Sequence, residues 1–281
     1  MNIKEALEYG INLLKENKQE NPILKAKILL ANILNKDKNY LLINEKELLD
    51  QNVVKKYIED LRKICSGIPL QYITKSQEFF GLNFYVDENV LIPQPDTEIL
   101  VEEVIKICKD KNKKLKILDL CTGSGSIGIS IAKNINNCEV TLSDISIKAL
   151  DVAKKNCSNL GKEEIKIIES DLFNNIKETF DIIVSNPPYI KKDVIKTLSK
   201  EVQNEPHLAL DGGEDGLEIY KRIIKEAYKF LNKDGYLCLE IGYDQKEDVI
   251  RLLEKENNYK DIYSKKDLSR NDRIIICKKE D

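Results

Sequence analysis

A chain of 281 residues with 42% hydrophobic and 33% charged content can bury a substantial core and suits one large domain plus a small one. No apolar run approaches the roughly 20 residues of a membrane helix, and the charged, amphipathic start "MNIKEALEYGINLLKENKQ" lacks a signal peptide's apolar core, so the expected location is cytoplasmic, with no membrane partner. The formal charge of -3 is uneven: residues 1–75 hold 13 Lys/Arg against 10 Asp/Glu, or +3, leaving -6 on the remainder, a poor match for duplex phosphates.

Seven scattered cysteines (Cys65, Cys108, Cys121, Cys138, Cys157, Cys238, Cys277), none spaced C-x-x-C, read as reduced packing residues rather than a metal cluster. The single histidine, His207, excludes multi-histidine metal sites, so no metal is expected and the chemistry must run nearly without imidazole.

Along the chain, residues 3–66 carry apolar positions at helical spacing, such as Ile3, Leu7, Ile11 and Leu14, and predict a helical domain over residues 1–75. Gly67 and Pro69 break that pattern, and "EFFGLNFYV" predicts a hairpin turning at Gly81-Leu82, so that residues 76–95 form a hairpin linker. From residue 96 to 281, strands at 116–120, 139–144, 165–170, 180–186, 235–242, 260–265 and 272–278 alternate with helical stretches. Such alternation predicts an α/β domain whose mostly parallel, seven-stranded sheet is covered on both faces, its last two strands pairing as an antiparallel hairpin.

"LDLCTGSGSIGIS" places Gly123, Gly125 and Gly128 after a strand and at the opening of a helix, the context of a nucleotide-binding turn. It lacks the Lys-Ser/Thr ending of a P-loop. Asp119 within it would repel a pyrophosphate but suits a cationic ligand. Asp144 ends the next strand, where a carboxylate can bind ribose hydroxyls, and Asp171 ends the third, placed to accept from an adenine amino group. Carboxylates at three consecutive strand ends should line the ligand crevice and point to S-adenosylmethionine, in a Rossmann-like class I methyltransferase fold, with an NAD-type Rossmann domain as the remaining alternative.

The fourth strand runs into "DIIVSNPPYIKKD", residues 181–193. Pro187 and Pro188 fix φ and hold nearby carbonyls as rigid acceptors, while Asn186 adds a side-chain carbonyl. Two convergent acceptors can bind both N–H bonds of a planar amide or arylamine and turn its nitrogen toward a sulfonium methyl. Tyr189 can stack on the flat group.

These motifs, with "GIPLQYI", "EFFGLNFYVDENVLIPQPDTE", "SDLF", "EPHLALDGGEDGLEIY" and "RNDRIIIC" in order, resemble the HemK/PrmC family of peptide chain release factor N5-glutamine methyltransferases over nearly the whole chain. The resemblance implies methyl transfer to the glutamine of the Gly-Gly-Gln loop in class I release factors, with residues 1–75 recognising the protein substrate. It assigns donor binding to Cys121, Thr122, Gly123, Ser124, Gly125, Asp144, Asp171, Leu172 and Asn186. Contact with the substrate glutamine falls to Asn186, Pro187, Pro188 and Tyr189, with Asn186, Pro187 and Tyr189 at the chemistry. Gln94 stands where the family has arginine, and Cys121 where it has glycine, which is tolerable only if the backbone there avoids positive φ. The alternatives are glutamine methylation of a ribosomal protein, adenine methylation of nucleic acid, which expects a basic groove, and a donor-sensing module, which has no use for an amine clamp.

Overall fold

The computed structural model describes residues 1–109 and 113–280, which form two compact units: residues 1–75 with 199–204, and residues 76–198 with 205–281. Among the described residues no helix is long and apolar enough to cross a membrane.

The first unit contains α1 (Ile3–Glu16), α2 (Pro22–Leu34), α3 (Lys38–Ile43), α4 (Gln51–Cys65) and α5 (Leu70–Thr74). Asn2 Oδ1 accepts the Glu5 amide while the Glu5 carboxylate accepts the Asn2 amide, so α1 starts on a reciprocal cap. Ile3, Leu7 and Leu14 of α1 meet Leu29 and Leu30 of α2 and Tyr57, Leu61 and Ile64 of α4, the stripe that helical spacing dictates. Residues 199–204 belong here although the sequence reading assigned them to the catalytic domain. Polar contacts hold them: Glu201 pairs with Lys25, and Asn204 Nδ2 donates to the Gly67 carbonyl at 3.0 Å.

The second unit opens with β1 (Gln77–Phe79) and β2 (Leu82–Phe84), paired antiparallel with Phe79 opposite Leu82. The turn is therefore Phe80-Gly81, one residue earlier than expected, with φ of 51° and 70°. A two-residue turn of this hand needs positive φ at both positions, and the expected register would have forced Leu82 into it. Nor is 76–95 a linker. Phe79 and Phe84 are fully buried in the main core, and the buried Asn156 side chain bonds both backbone groups of Tyr85.

A 3-10 turn (Pro95–Thr97) leads into α6 (Glu98–Cys108), β3 (Leu115–Leu120), α7 (Ser126–Asn134), β4 (Cys138–Asp144), α8 (Ile147–Asn159), β5 (Lys166–Glu169) and β6 (Phe180–Ser185). Then follow three short helices, α9 (Lys192–Ile195), α10 (Lys200–Gln203), which belongs to the first unit, and α11 (His207–Leu210). The chain ends with α12 (Glu218–Phe230), β7 (Leu231–Glu240), α13 (Lys246–Glu256), β8 (Tyr259–Lys266) and β9 (Asp272–Lys279).

The strands form one sheet in the order β5-β4-β3-β6-β7-β9-β8, parallel through β7, with β9 antiparallel to both neighbours. Period-two alternation sorts the side chains. Ile117, Ile182, Val184 and Cys238 face α6, α7 and α8, whereas Leu118, Ile183, Leu237 and Leu239 face α12 and α13. Because β3 pairs with β4 on one side and β6 on the other, the chain reverses its winding at β3. The carboxyl ends of these strands thus open a crevice where such sheets take ligands.

Candidate active site

Beyond β3 the backbone is left-handed at Cys121 (φ 60°), Gly123 (φ 54°) and Gly125 (φ 81°). The condition under which cysteine would be tolerable at position 121, a backbone that avoids positive φ, is not met. The Cys121 side chain sits in a conformation that costs an L-residue about 1 to 2 kcal/mol. At Gly128 a β-carbon would lie 2.3 Å from Leu142 Cδ2, so glycine there lets α7 close onto the sheet.

Asp119 does not line the crevice. It is fully buried beneath the turn, where Oδ2 accepts from Thr122 Oγ1 (2.5 Å) and the Gly128 amide (2.9 Å) while Oδ1 has no partner. Burial pushes its carboxyl up to about 7, with Asp144 adding to the rise and the two donors opposing it. Its role is to shape the turn from below. The reading of three carboxylates lining one crevice is corrected to two.

Asp144 Oδ2 accepts from the Gly123 amide and Oδ1 from the Ser146 amide, each at 2.9 Å, which binds the end of β4 to the glycine turn. Burial raises its pKa against these backbone donors. Asp171 follows β5 and meets a partner absent from the sequence reading: both its oxygens lie 2.8 Å from Arg222 Nη2 on α12.

A cavity of about 340 Å³, a volume suited to a small organic ligand, is walled by Cys121, Thr122, Gly123 and Ser124 of the turn, by Asp144, Asp171 and Leu172, and by Asn186 and Pro188. Gly125, Pro187 and Tyr189 lie outside these walls. Gln94 lines the cavity and donates to the Ile92 carbonyl at 2.9 Å, so its amide braces its own loop.

The turn after β6 is held from several directions. Asn186 Nδ2 reaches Thr97 Oγ1 at 3.4 Å, and Tyr189 Oη donates to Glu240 Oε1 at 3.3 Å. Gln245 Nε2 donates to the carbonyls of Tyr189 (2.9 Å) and Gly216 (3.1 Å), while its Oε1 accepts the Gly242 amide. A β-carbon on Gly212 would lie 2.6 Å from Tyr189 Cα, and one on Gly216 would lie 2.6 Å from the Tyr189 carbonyl oxygen. The stretch "ALDGGEDGL" is therefore the surface against which Asn186–Tyr189 is moulded.

Thr97, Gln245, Arg222 and Glu240 received no role from sequence reasoning. Glu240 did leave a signal: a carboxylate within "YLCLEIG", an otherwise apolar central strand, needs an internal partner.

A family model described as a methyltransferase small domain matches residues 95–267, and one described as the PrmC N-terminal domain matches residues 5–74. The release factor glutamine methyltransferase of Clostridium acetobutylicum is 42% identical over 99% of this chain and 98% of its own length. That of Clostridium botulinum is 42% identical over 99% of this chain and 100% of its own. Among solved structures, a methyltransferase from Pyrococcus furiosus has a TM-score of 0.54 at 18% identity, covering 80% of this chain and 99% of that chain, a likeness of fold.

Proposed function

The chain belongs to the release factor glutamine methyltransferase family, and on that premise we propose that it moves a methyl group from S-adenosylmethionine to the side-chain amide nitrogen of the glutamine in a release factor's Gly-Gly-Gln loop. The observation that carries the reading is the adjacency, in one cavity, of the Asp144-anchored turn and the Asn186–Pro188 clamp.

The cavity's chemistry suits this donor. Asp144 keeps lone pairs for ribose hydroxyls after accepting two backbone amides, and Leu172 offers an apolar wall to a flat base. Four wall carboxylates, Glu88, Asp144, Asp171 and Asp211, outnumber the wall cations Lys148 and Arg222, and with Asp119 beneath the turn they favour a cationic ligand over a pyrophosphate. Asp171 would meet the base with Arg222 already beside it. Once bound, the donor supplies a sulfonium methyl electrophilic enough for an amide nitrogen to attack.

The protein's part is to orient. With Nδ2 engaged by Thr97, Asn186 has Oδ1 left to offer, and the rigid Pro187-Pro188 backbone supplies a second acceptor. Together they hold both N–H bonds of the glutamine amide and aim its lone pair at the methyl. The new N–C bond forms as the S–C bond breaks, and the nitrogen then loses one proton to solvent. Tyr189 braces the clamp through Glu240 rather than by stacking in the cavity.

The test is incubation with radiolabelled donor and, separately, a purified release factor, a ribosomal protein and DNA, followed by mass mapping of the labelled residue. Label on the Gly-Gly-Gln glutamine is expected. Label confined to the ribosomal protein or to adenine overturns the reading.

A further inference from the structure

Behind the clamp lies a polar cluster to which donor and acceptor binding assign no task. Glu240, the last residue of β7, is 3% exposed. Its Oε1 accepts from Tyr189 Oη, its Oε2 is buried with no hydrogen-bond partner, and the Thr97 hydroxyl is the nearby group whose influence favours its charged form. Thr97 Oγ1 in turn accepts from Asn186 Nδ2. Tyr189 thus bonds the carboxylate directly, and Asn186 bonds a hydroxyl beside it, the Thr97 proton being the donor that the orphaned Oε2 lacks.

An ionised carboxylate only accepts, and a hydroxyl has one proton to give. If that proton points at Glu240, Thr97 can present only lone pairs to Asn186. The amide must then turn its NH2 toward Thr97 and its Oδ1 toward the cavity. With the opposite flip, the clamp would offer N–H groups to the N–H groups of the substrate.

We propose that Glu240 is a positioning residue of the methyl-acceptor site, whose carboxylate, acting through Thr97, fixes the flip of the Asn186 amide and, through Tyr189 Oη, the seat of the turn. The proposal rests on the reading that an amide nitrogen is the methyl acceptor. Protonation reverses the logic. A protonated Glu240 donates to Thr97 or Tyr189, frees the Thr97 proton to face Asn186, and removes the reason for the productive flip.

The surroundings place that change near neutrality. Burial pushes the carboxyl up to about 7 against the Thr97 hydroxyl, the Arg273 guanidinium from β9 and Tyr189, with Asp96 of the 3-10 turn adding to the rise. Arg273 is shared with Asp267 (3.0 Å) and Asp96 (3.4 Å), so it neutralises Glu240 incompletely. From α12, Tyr220 Oη donates to the Glu240 backbone carbonyl at 2.8 Å. Because the charged form is the productive one, turnover should rise with pH through this range and then level.

The experiment is steady-state methylation of a release factor across roughly pH 5.5 to 9, with donor affinity measured by calorimetry. Wild type should show the rising limb, and Glu240→Gln should lose it while kcat at high pH falls roughly tenfold or more with donor Kd within about twofold. Thr97→Val should reproduce the loss and Thr97→Ser recover most of it. The double variant Thr97→Val/Glu240→Gln should be no slower than the slower single, because the two act as a unit. A Glu240→Gln enzyme with wild-type kcat and an unchanged pH profile, a Thr97→Ser as slow as Thr97→Val, or an additive double variant overturns the proposal. Should Glu240→Gln not fold, the Thr97 pair and the wild-type profile decide. A wild-type protein that labels DNA but no glutamine amide of any protein overturns instead the acceptor assignment beneath it.

Discussion

Cys121 occupies a left-handed conformation at φ 60° in the turn that walls the cavity. Restoring glycine relieves about 1 to 2 kcal/mol of side-chain clash, partly offset by about 0.5 to 1 kcal/mol of extra chain entropy in the unfolded state. Cys121→Gly should therefore raise Tm by roughly 1 to 4 °C in a protein of this size, whereas the β-branched Cys121→Val should lower it, both read by calorimetry. Asp144 carries a different load, since its carboxylate holds two backbone amides as well as the proposed ribose contact. Asp144→Ala should weaken S-adenosylmethionine binding by about 1 to 3 kcal/mol, and Asp144→Asn, which keeps an acceptor, by less. An unchanged Kd for Asp144→Ala would remove Asp144 from the donor site. The strand-end position of Asp144 was legible because a parallel strand delivers its last residue to the crevice whatever its neighbours are. Asp119 was not legible in the same way. One residue inside the strand end, it points beneath the turn, and a linear sequence does not reveal which side of a tight turn a side chain takes.

At the scale of elements, apolar runs located each strand of the large sheet within a few residues, because inner strands such as β3 and β6 are buried on both faces and leave composition few alternatives, while the edge strands β5 and β8 keep one sheltered face. The largest slip came at β7, which begins at Leu231 immediately after α12, so that Leu231 closes the strand's start rather than the helix's end. The hairpin register also slipped, because Phe80 takes a positive φ that its side chain disfavours and composition alone would not assign to it. The packing of "ALDGGEDGL" on the Asn186–Tyr189 turn was equally hidden, since it joins segments from separate parts of the chain and depends on missing β-carbons. That packing makes a sharp prediction. In Gly212→Ala the new methyl would sit 2.6 Å from Tyr189 Cα and 2.7 Å from its carbonyl carbon, so backbone must move. A shift of the clamp by a fraction of an ångström to an ångström should lower kcat by roughly 100-fold. Donor affinity, set mainly at the glycine turn, should fall only a few-fold. A Gly212→Ala enzyme with full turnover would show that the turn is not held by this contact.

For the whole molecule, the question is what the helical unit contributes to a reaction whose assigned groups all lie between residues 97 and 240. Its +3 charge over residues 1–75 contrasts with the -6 of the remainder, and it carries none of the side chains given a chemical role. We expect it to dock the protein substrate. Residues 199–204 complicate the obvious deletion, because Glu201 and Asn204 find partners in Lys25 and Gly67. Removing residues 1–67 would cut away the docking surface and also leave that segment without its anchors. A full-length Asn204→Ala variant helps to separate the two effects, since it loses one of the two anchors but keeps the surface. The truncated protein, with folding checked by circular dichroism, should bind S-adenosylmethionine with wild-type affinity, methylate a glutamine peptide slowly, and lose nearly all kcat/KM on intact release factor. Asn204→Ala should lose less than about tenfold, in line with one hydrogen bond. If Asn204→Ala is as impaired as the deletion, the helical unit acts by ordering residues 199–204. If a folded truncation keeps full kcat/KM on intact release factor, specificity lies in the catalytic unit, and the segment after Tyr189 becomes the place to seek it.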